Sequence, residues 1–141
     1  MSQALTRDLG TRAVGVLRWL IAAYFLFAAT VHFVLPANLP QPMAWMYDLD
    51  GRMHLVAGAA ELLGALGLVL PRLLGVYPRL TAAAAAGLVL VMLSAAVWHL
   101  GRGEWPSIVG NLIMAALLAY VAMREWRRGR PRQAVTAGVA A

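Results

Sequence analysis

Five polar side chains lie in or beside long apolar stretches of this sequence. Glu61 is the only charged residue in the run HLVAGAAELLGALGLVL, which ends at Leu70. The others are three imidazoles and one amide: His32, His54, His99 and Asn111. Carboxylate and imidazole groups can exchange protons near neutral pH, and imidazole also binds metals. A carboxylate at bilayer depth costs about 3 kcal/mol to insert and by default indicates a functional site. We therefore ask which elements position these groups.

The composition predicts an integral membrane protein. Hydrophobic residues make up 62% of the 141 residues, charged residues 13%, and the mean hydropathy is +0.71. A helix needs roughly 17–25 apolar residues to cross a bilayer. Four stretches meet or approach this length: residues 14–35, 53–70, 80–100 and 107–123. They lack the alternation of a membrane β-barrel, so we predict an all-α bundle of four transmembrane helices.

Prolines lie at the ends of these apolar stretches. Pro36 follows the first span, Pro71 and Pro78 are expected to bracket the second connection, and Pro106 opens the fourth helix, where proline is tolerated. The loop of residues 36–52 contains NLPQPMAW and is expected to be interfacial or re-entrant. The five tryptophans are interpreted as anchors at the two membrane boundaries.

The basic residues predict the orientation. All twelve are arginines, and ten of them fall on the side of the predicted termini, whereas Arg52 and Arg102 fall on the other side. By the positive-inside rule, both termini are cytoplasmic and the chain is a multi-pass protein of the bacterial cytoplasmic (inner) membrane. The net charge of +6 then indicates membrane lipid as a partner rather than nucleic acid. Residues 1–132 are predicted to form one domain and residues 133–141 a disordered tail. Because cysteine is absent, disulfides and thiolate metal sites are excluded.

The predicted topology places the five polar residues in the outer half of the membrane. His32 lies about one turn from the end of the first helix, His54 begins the second and His99 ends the third. Asn111 lies about one turn into the fourth helix, and Glu61 is about 10 Å deeper than His54 on nearly the same face. A bundle would let them converge on a ligand-binding pocket. For each histidine the alternative is an interfacial or hydrogen-bonded role, and for Asn111 an interhelical hydrogen bond.

Two neighbouring motifs have structural interpretations. Small residues on the second helix allow either close helix packing or a cavity for a flat ligand; they include Gly58, Gly64 and Gly67. In the HLGRGE segment, Arg102 and Glu104 are expected to pair in a short outer turn after His99, as a rim or loop clamp.

The stretch AELLGALGLVLPRLLGVYPRLTAAAAAGLVLVMLSAAVWHLGRGEWPSIVGNLIM, together with HFVLP after the first helix, resembles the DoxX-like family of small bacterial four-helix membrane proteins. The resemblance covers about residues 14–126. Its marked positions correspond here to Glu61, Gly64, Gly67, Pro71, Arg79, His99, Arg102, Glu104 and Asn111. The family takes its name from a subunit of an archaeal terminal quinol oxidase complex that oxidises thiosulfate. The resemblance therefore implies an association with redox chemistry.

Three hypotheses follow for the function. The first is a redox-associated protein that binds a quinone or another lipophilic ligand around Glu61. The second is a non-catalytic accessory or assembly subunit, working as a homo-oligomer or within a membrane complex. The third is a metal or haem site built from His32, His54 and His99 with Glu61. The sequence contains no nucleophile–base motif and no nucleotide-binding loop. It therefore identifies no catalytic residue and favours a binding or accessory protein over a stand-alone enzyme.

Overall fold

The computed structural model describes residues 2–76 and 78–129. It contains four long helices: α1 (Ser2–Val34), α2 (Gly51–Leu73), α3 (Pro78–Leu100) and α4 (Trp105–Arg128). A short 3-10 helix, Gln41–Asp48, lies between α1 and α2 and is called the loop helix below. Each long helix contains a segment long and apolar enough to cross a membrane, and the described residues contain no strand. The prediction of an all-helical chain with four such spans is confirmed for these residues, whereas the predicted tail at 133–141 lies outside them.

The helices extend beyond the apolar stretches that predicted them. Helix α1 begins at Ser2 rather than near residue 14, and α4 continues to Arg128 rather than ending near residue 123. Hydropathy detects the part of a helix suited to lipid, and a helix continues into polar sequence wherever its backbone hydrogen bonds can form.

The expected break at Pro71 is wrong, because Pro71 lies inside α2, which runs on to Leu73. Proline costs α2 one donor to the backbone ladder, which membrane helices tolerate when neighbouring structure compensates. The chain turns instead at Gly75, whose φ of +67° is a left-handed conformation that suits glycine. Pro106 lies in the first turn of α4, as predicted.

The helices pack in chain order around a small apolar core. Helix α2 lies between α1 and α3, α3 packs along α4, and α1 and α4 touch over only a short stretch. Phe25, Leu68, Leu88 and Leu118 are completely buried at the centre. Each of the four helices thus contributes one of these side chains to the shared core.

Glycines on α2 bring its neighbours close. A methyl group on Gly64 would overlap the side chain of Leu88, and one on Gly67 would lie 2.6 Å from Cβ of Ala84. These two glycines therefore serve tight packing of α2 on α3, which is one of the two alternatives that the sequence left open.

The two ends of the bundle differ in their connections. The loop end carries the loop helix and the turn of residues 101–104, whereas the terminal end carries the start of α1, the end of α4 and the α2–α3 connection. The cytoplasmic placement of the terminal end stays a prediction.

Candidate functional site

A cavity of about 770 Å³ lies in the half of the bundle nearest the loop end. All four long helices and the loop helix contribute to its walls, which are mostly apolar. Four of the five predicted site residues line it: Glu61, His32, His99 and Asn111. The volume falls within the range of sites that bind small organic molecules, which typically pair apolar walls with a few polar groups.

His54 lies behind this wall, in contact with His32. Both histidines are buried, and their Nδ1 atoms are 2.9 Å apart. Nε2 of His54 lies 3.0 Å from the backbone oxygen of Met46 in the loop helix. The loop helix thus connects through His54 and His32 to the cavity.

The hydrogen-bond partners determine which nitrogen of each neutral imidazole carries a hydrogen. The Met46 carbonyl can only accept, so Nε2 of His54 donates to it and Nδ1 of His54 is left as an acceptor. His32 must then donate from Nδ1, which leaves its Nε2 as a lone-pair acceptor. With both rings neutral, His32 therefore presents an acceptor toward Glu61.

Glu61 is buried, at 5% exposure, opposite that acceptor. Its Oε2 lies 3.8 Å from Nε2 of His32, which is too far for a direct hydrogen bond. This oxygen has no hydrogen-bond donor among the described residues. When Glu61 is ionised and both imidazoles are neutral, two acceptors thus face each other at the wall of the cavity without a hydrogen between them.

Gly58 permits this arrangement. A methyl group at Gly58 would lie 3.0 Å from Cβ of His32 and 3.1 Å from the ring of Phe33. Contacts of that length are tighter than ordinary van der Waals contact, so α1 and α2 approach as closely here as glycine allows. One turn of α2 separates Gly58 from His54, and less than one turn separates it from Glu61.

His99 also lines the cavity and is held by an ion-pair cluster in the turn after α3. Its Nδ1 lies 2.5 Å from Oε2 of Glu104. Arg102 donates from Nε to Oε1 of the same carboxylate at 2.8 Å and also pairs with Asp48 of the loop helix. The predicted pairing of Arg102 with Glu104 is confirmed, and the pairing with Asp48 adds a connection to the loop helix.

These contacts set the ionisation of the turn. The hydrogen bond from His99, and then that from Arg102, hold the pKa of Glu104 below its ordinary value of 4.5. The hydrogen bond to Glu104 also raises the pKa of Arg102. The turn after His99 therefore carries groups that stay charged at neutral pH.

Sequence reasoning missed the contribution of the tryptophans. Trp45 and Trp98 were interpreted as membrane anchors, but both line the cavity, and their ring centroids lie 4.7 Å and 5.0 Å from that of His99. Hydropathy treats an interfacial tryptophan and a cavity-lining one alike. The proline-rich loop that carries Trp45 was the only available signal, and it did not fix which way the ring points.

The described residues contain no group of three His, Cys, Asp or Glu side chains placed to hold a metal ion. His32 and His54 are in contact with each other, whereas Nδ1 of His99 is engaged by Glu104. The arrangement gives the three-histidine alternative no support.

The chain matches the model of a known protein family. The model of the DoxX-like family matches residues 16–121, which is more than half of the 141 residues. No curated protein and no solved structure matches the chain.

Proposed function

The chain belongs to the DoxX-like family of membrane proteins, and on this basis we propose that its cavity binds a lipophilic ligand whose polar head donates a hydrogen bond. The quinol form of a quinone is the ligand class that fits best, and the protein is then redox-associated. Its apolar body would contact the cavity walls, and its hydroxyl group would lie beside Glu61 and His32.

The observation that supports this proposal is the pair of buried acceptors at the cavity wall. A buried acceptor without a donor costs about 1–3 kcal/mol, so a ligand that brings a donor gains binding free energy there. A hydroxyl group supplies such a donor, whereas the carbonyl of an oxidised quinone supplies another acceptor. With neutral histidines and an ionised Glu61, we therefore expect the quinol to bind more tightly than the quinone.

Access from the side of the bundle also favours a lipophilic ligand. Phe27 and Leu90 line the cavity from within the spanning segments of α1 and α3, yet they are 60% and 66% exposed. Gly110 on α4 also lines the cavity and is exposed. A molecule dissolved in the hydrocarbon layer could reach the cavity along this side without crossing the charged turn at the loop end.

The cellular setting is part of the same proposal. The arginine distribution supports a multi-pass protein of the bacterial inner membrane with cytoplasmic termini. The cavity would then lie in the outer half of the bilayer. Residues 1–132 would form one domain, working as a homo-oligomer or as a subunit of a membrane complex.

The direct test is equilibrium binding of a short-chain ubiquinol and of its oxidised form to the purified protein in lipid nanodiscs. The wild type should prefer the quinol. Glu61→Gln places an amide opposite Nε2 of His32, which then has a donor within the protein, so the quinol preference should fall about tenfold. Equal binding of both forms by the wild type, or an unchanged preference in Glu61→Gln, would contradict the proposal.

Two glycines offer a matched control for the cavity itself. A Cβ atom at Gly110 or at Gly87 meets no atom within 4 Å, but only Gly110 lines the cavity. Gly110→Leu should therefore weaken binding of the quinol, and Gly87→Leu should leave it unchanged. Equal effects of the two substitutions would mean that the ligand binds elsewhere.

The accessory-subunit alternative predicts a different pattern. In that case, Glu61→Gln would change the stability of the protein or the yield of its complex, and neither form of the quinone would bind. Measuring stability and binding on the same preparation separates the two proposals.

A further inference from the structure

A second buried carboxylate lies at the terminal end of the bundle, whereas the cavity lies in the half nearest the loop end. Glu125 on α4 is only 1% exposed and is surrounded by arginines from three helices. Arg128 donates to its Oε1 at 2.9 Å, and Arg72 of α2 donates to both oxygens at 3.1 and 3.2 Å. Arg18 of α1 lies 3.8 Å away. We call these four residues the arginine cluster.

Positive charge exceeds negative charge in the arginine cluster. Three guanidinium groups surround a single carboxylate, so the cluster carries a net charge of about +2 when all four groups are ionised. Arg18 is itself only 5% exposed. Burying a charge without a partner is costly, and one carboxylate cannot compensate three guanidinium groups.

Unused hydrogen-bond donors accompany the excess charge. Nε and Nη1 of Arg18 and Nη2 of Arg128 are buried and have no hydrogen-bond partner among the described residues. Guanidinium groups present such donors in a planar fork that matches the oxygens of phosphate. Buried donors of this kind need acceptors that the described residues do not supply.

We infer that the arginine cluster is a binding site for a phosphate group, in which Arg18 and Arg128 donate to the phosphate oxygens while Glu125 holds the arginines in place. The position suits a phospholipid headgroup, because Trp126, which follows Glu125 in the chain, is half exposed, as interfacial aromatics are. The guanidinium carbon of Arg79 lies 5.4 Å from the centroid of the Trp126 ring. Basic pockets between helices bind anionic headgroups in this way. A soluble phosphate ester would offer the same chemistry.

The test uses the full-length protein, delipidated in a neutral detergent. Phosphatidylglycerol, inorganic phosphate and sodium oleate are added separately, and bound lipid is measured by native mass spectrometry and stabilisation by the shift in thermal unfolding. Arg18→Gln and Arg128→Gln should each weaken binding of phosphatidylglycerol about tenfold, the loss expected for a charge-assisted hydrogen bond. Arg127→Gln is the matched control, because Arg127 is exposed and follows Glu125 and Trp126 outside the cluster. This substitution removes the same charge as Arg128→Gln does.

Each outcome decides the inference. Selective loss in the two cluster variants supports it, with a lipid as the source if phosphatidylglycerol binds and a soluble phosphate if only the inorganic ion stabilises the wild type. Equal loss in Arg127→Gln, or binding of oleate as tight as that of phosphatidylglycerol, would overturn it in favour of unspecific charge attraction. If Arg18→Gln does not fold, Arg128→Gln against Arg127→Gln still gives the answer.

Discussion

The Nδ1 atoms of His32 and His54 lie 2.9 Å apart, although 22 residues separate the two histidines along the chain. The contact joins the last turns of α1 to the first turn of α2, and it depends on the close approach of the two helices at Gly58. A backbone feature of α2 therefore controls the geometry of an imidazole pair beside the cavity.

Gly58→Ala should disrupt this pair. The added methyl group would contact Cβ of His32, which cannot rotate away, so the helices must separate and the protein should lose about 1–3 kcal/mol of stability. Gly15→Ala is the control, because its methyl group meets no atom within 4 Å. Denaturation in detergent and the nitrogen chemical shifts of the histidine rings measure the two effects. An unperturbed histidine pair in Gly58→Ala would contradict the role of Gly58.

The turn after α3 should make stability depend on pH in the acid range. Because the folded state lowers the pKa of Glu104 below its ordinary value of 4.5, the folded protein gains stability from this group above that pH. The gain should disappear as the pH falls from about 4.5 through the lower folded pKa. Thermal unfolding of the wild type and of Glu104→Gln between pH 7 and pH 3 measures it. The two curves should converge at low pH, and parallel curves would show that Glu104 contributes no such effect.

Glu125→Gln should destabilise the bundle. Removing the carboxylate leaves the guanidinium of Arg18 buried without a counter-charge, which should cost about 3 kcal/mol of stability. This is the lower end of the range for breaking a buried pair, because the side chains of Arg72 and Arg128 are partly exposed. Arg72→Gln should cost far less, since the Arg72 side chain is 43% exposed.

A second substitution tests the cause of that loss. Adding Arg18→Met to Glu125→Gln removes the uncompensated charge and should recover part of the stability. A double variant as unstable as Glu125→Gln, in the same denaturation assay, would show that the loss has another origin.

Tyr47 should stabilise the loop helix. Its hydroxyl group accepts a hydrogen bond from the backbone N–H of Leu39 at 2.8 Å and donates one to the backbone oxygen of Pro36 at 2.7 Å. Tyr47→Phe removes both bonds and should cost about 1–2 kcal/mol. Hydrogen exchange of residues 36–49 should rise correspondingly. Tyr120→Phe is the control, because Tyr120 lies on α4, away from this loop. Unchanged exchange in Tyr47→Phe would show that other contacts hold the loop.

The sequence predicts the spans well and the helix ends poorly, for physical reasons. Continuous apolarity over the length of a bilayer marks four helices, because only helices and closed barrels satisfy their backbone inside lipid and the alternation of a barrel is missing. The ends depend on local hydrogen bonds instead. Asp50 begins α2 by accepting from the backbone N–H groups of Arg52 and Met53, and Pro71 fails to end it.

Part of the cavity lining could be expected from the sequence, whereas the contacts of its polar groups could not. Depth along the helices predicted that His32, Glu61, His99 and Asn111 lie in the same half of the membrane, and the structure places all four around one cavity. Spacing alone does not fix helix rotation, so it left the partner of each group open. The burial of Glu125 had no sequence signal, since a carboxylate among arginines near a chain end resembles an ordinary exposed residue.

The loop helix determines on which concentration scale the affinity of a cavity ligand should be expressed. His54, Tyr47 and the pairing of Asp48 with Arg102 fasten this helix across the loop end. On the proposed route, the ligand exchanges with the surrounding lipid rather than with water. Its binding equilibrium then depends on its mole fraction in the bilayer. A more hydrophobic tail would raise the apparent aqueous affinity by partitioning alone, even if it made no additional contact with the protein.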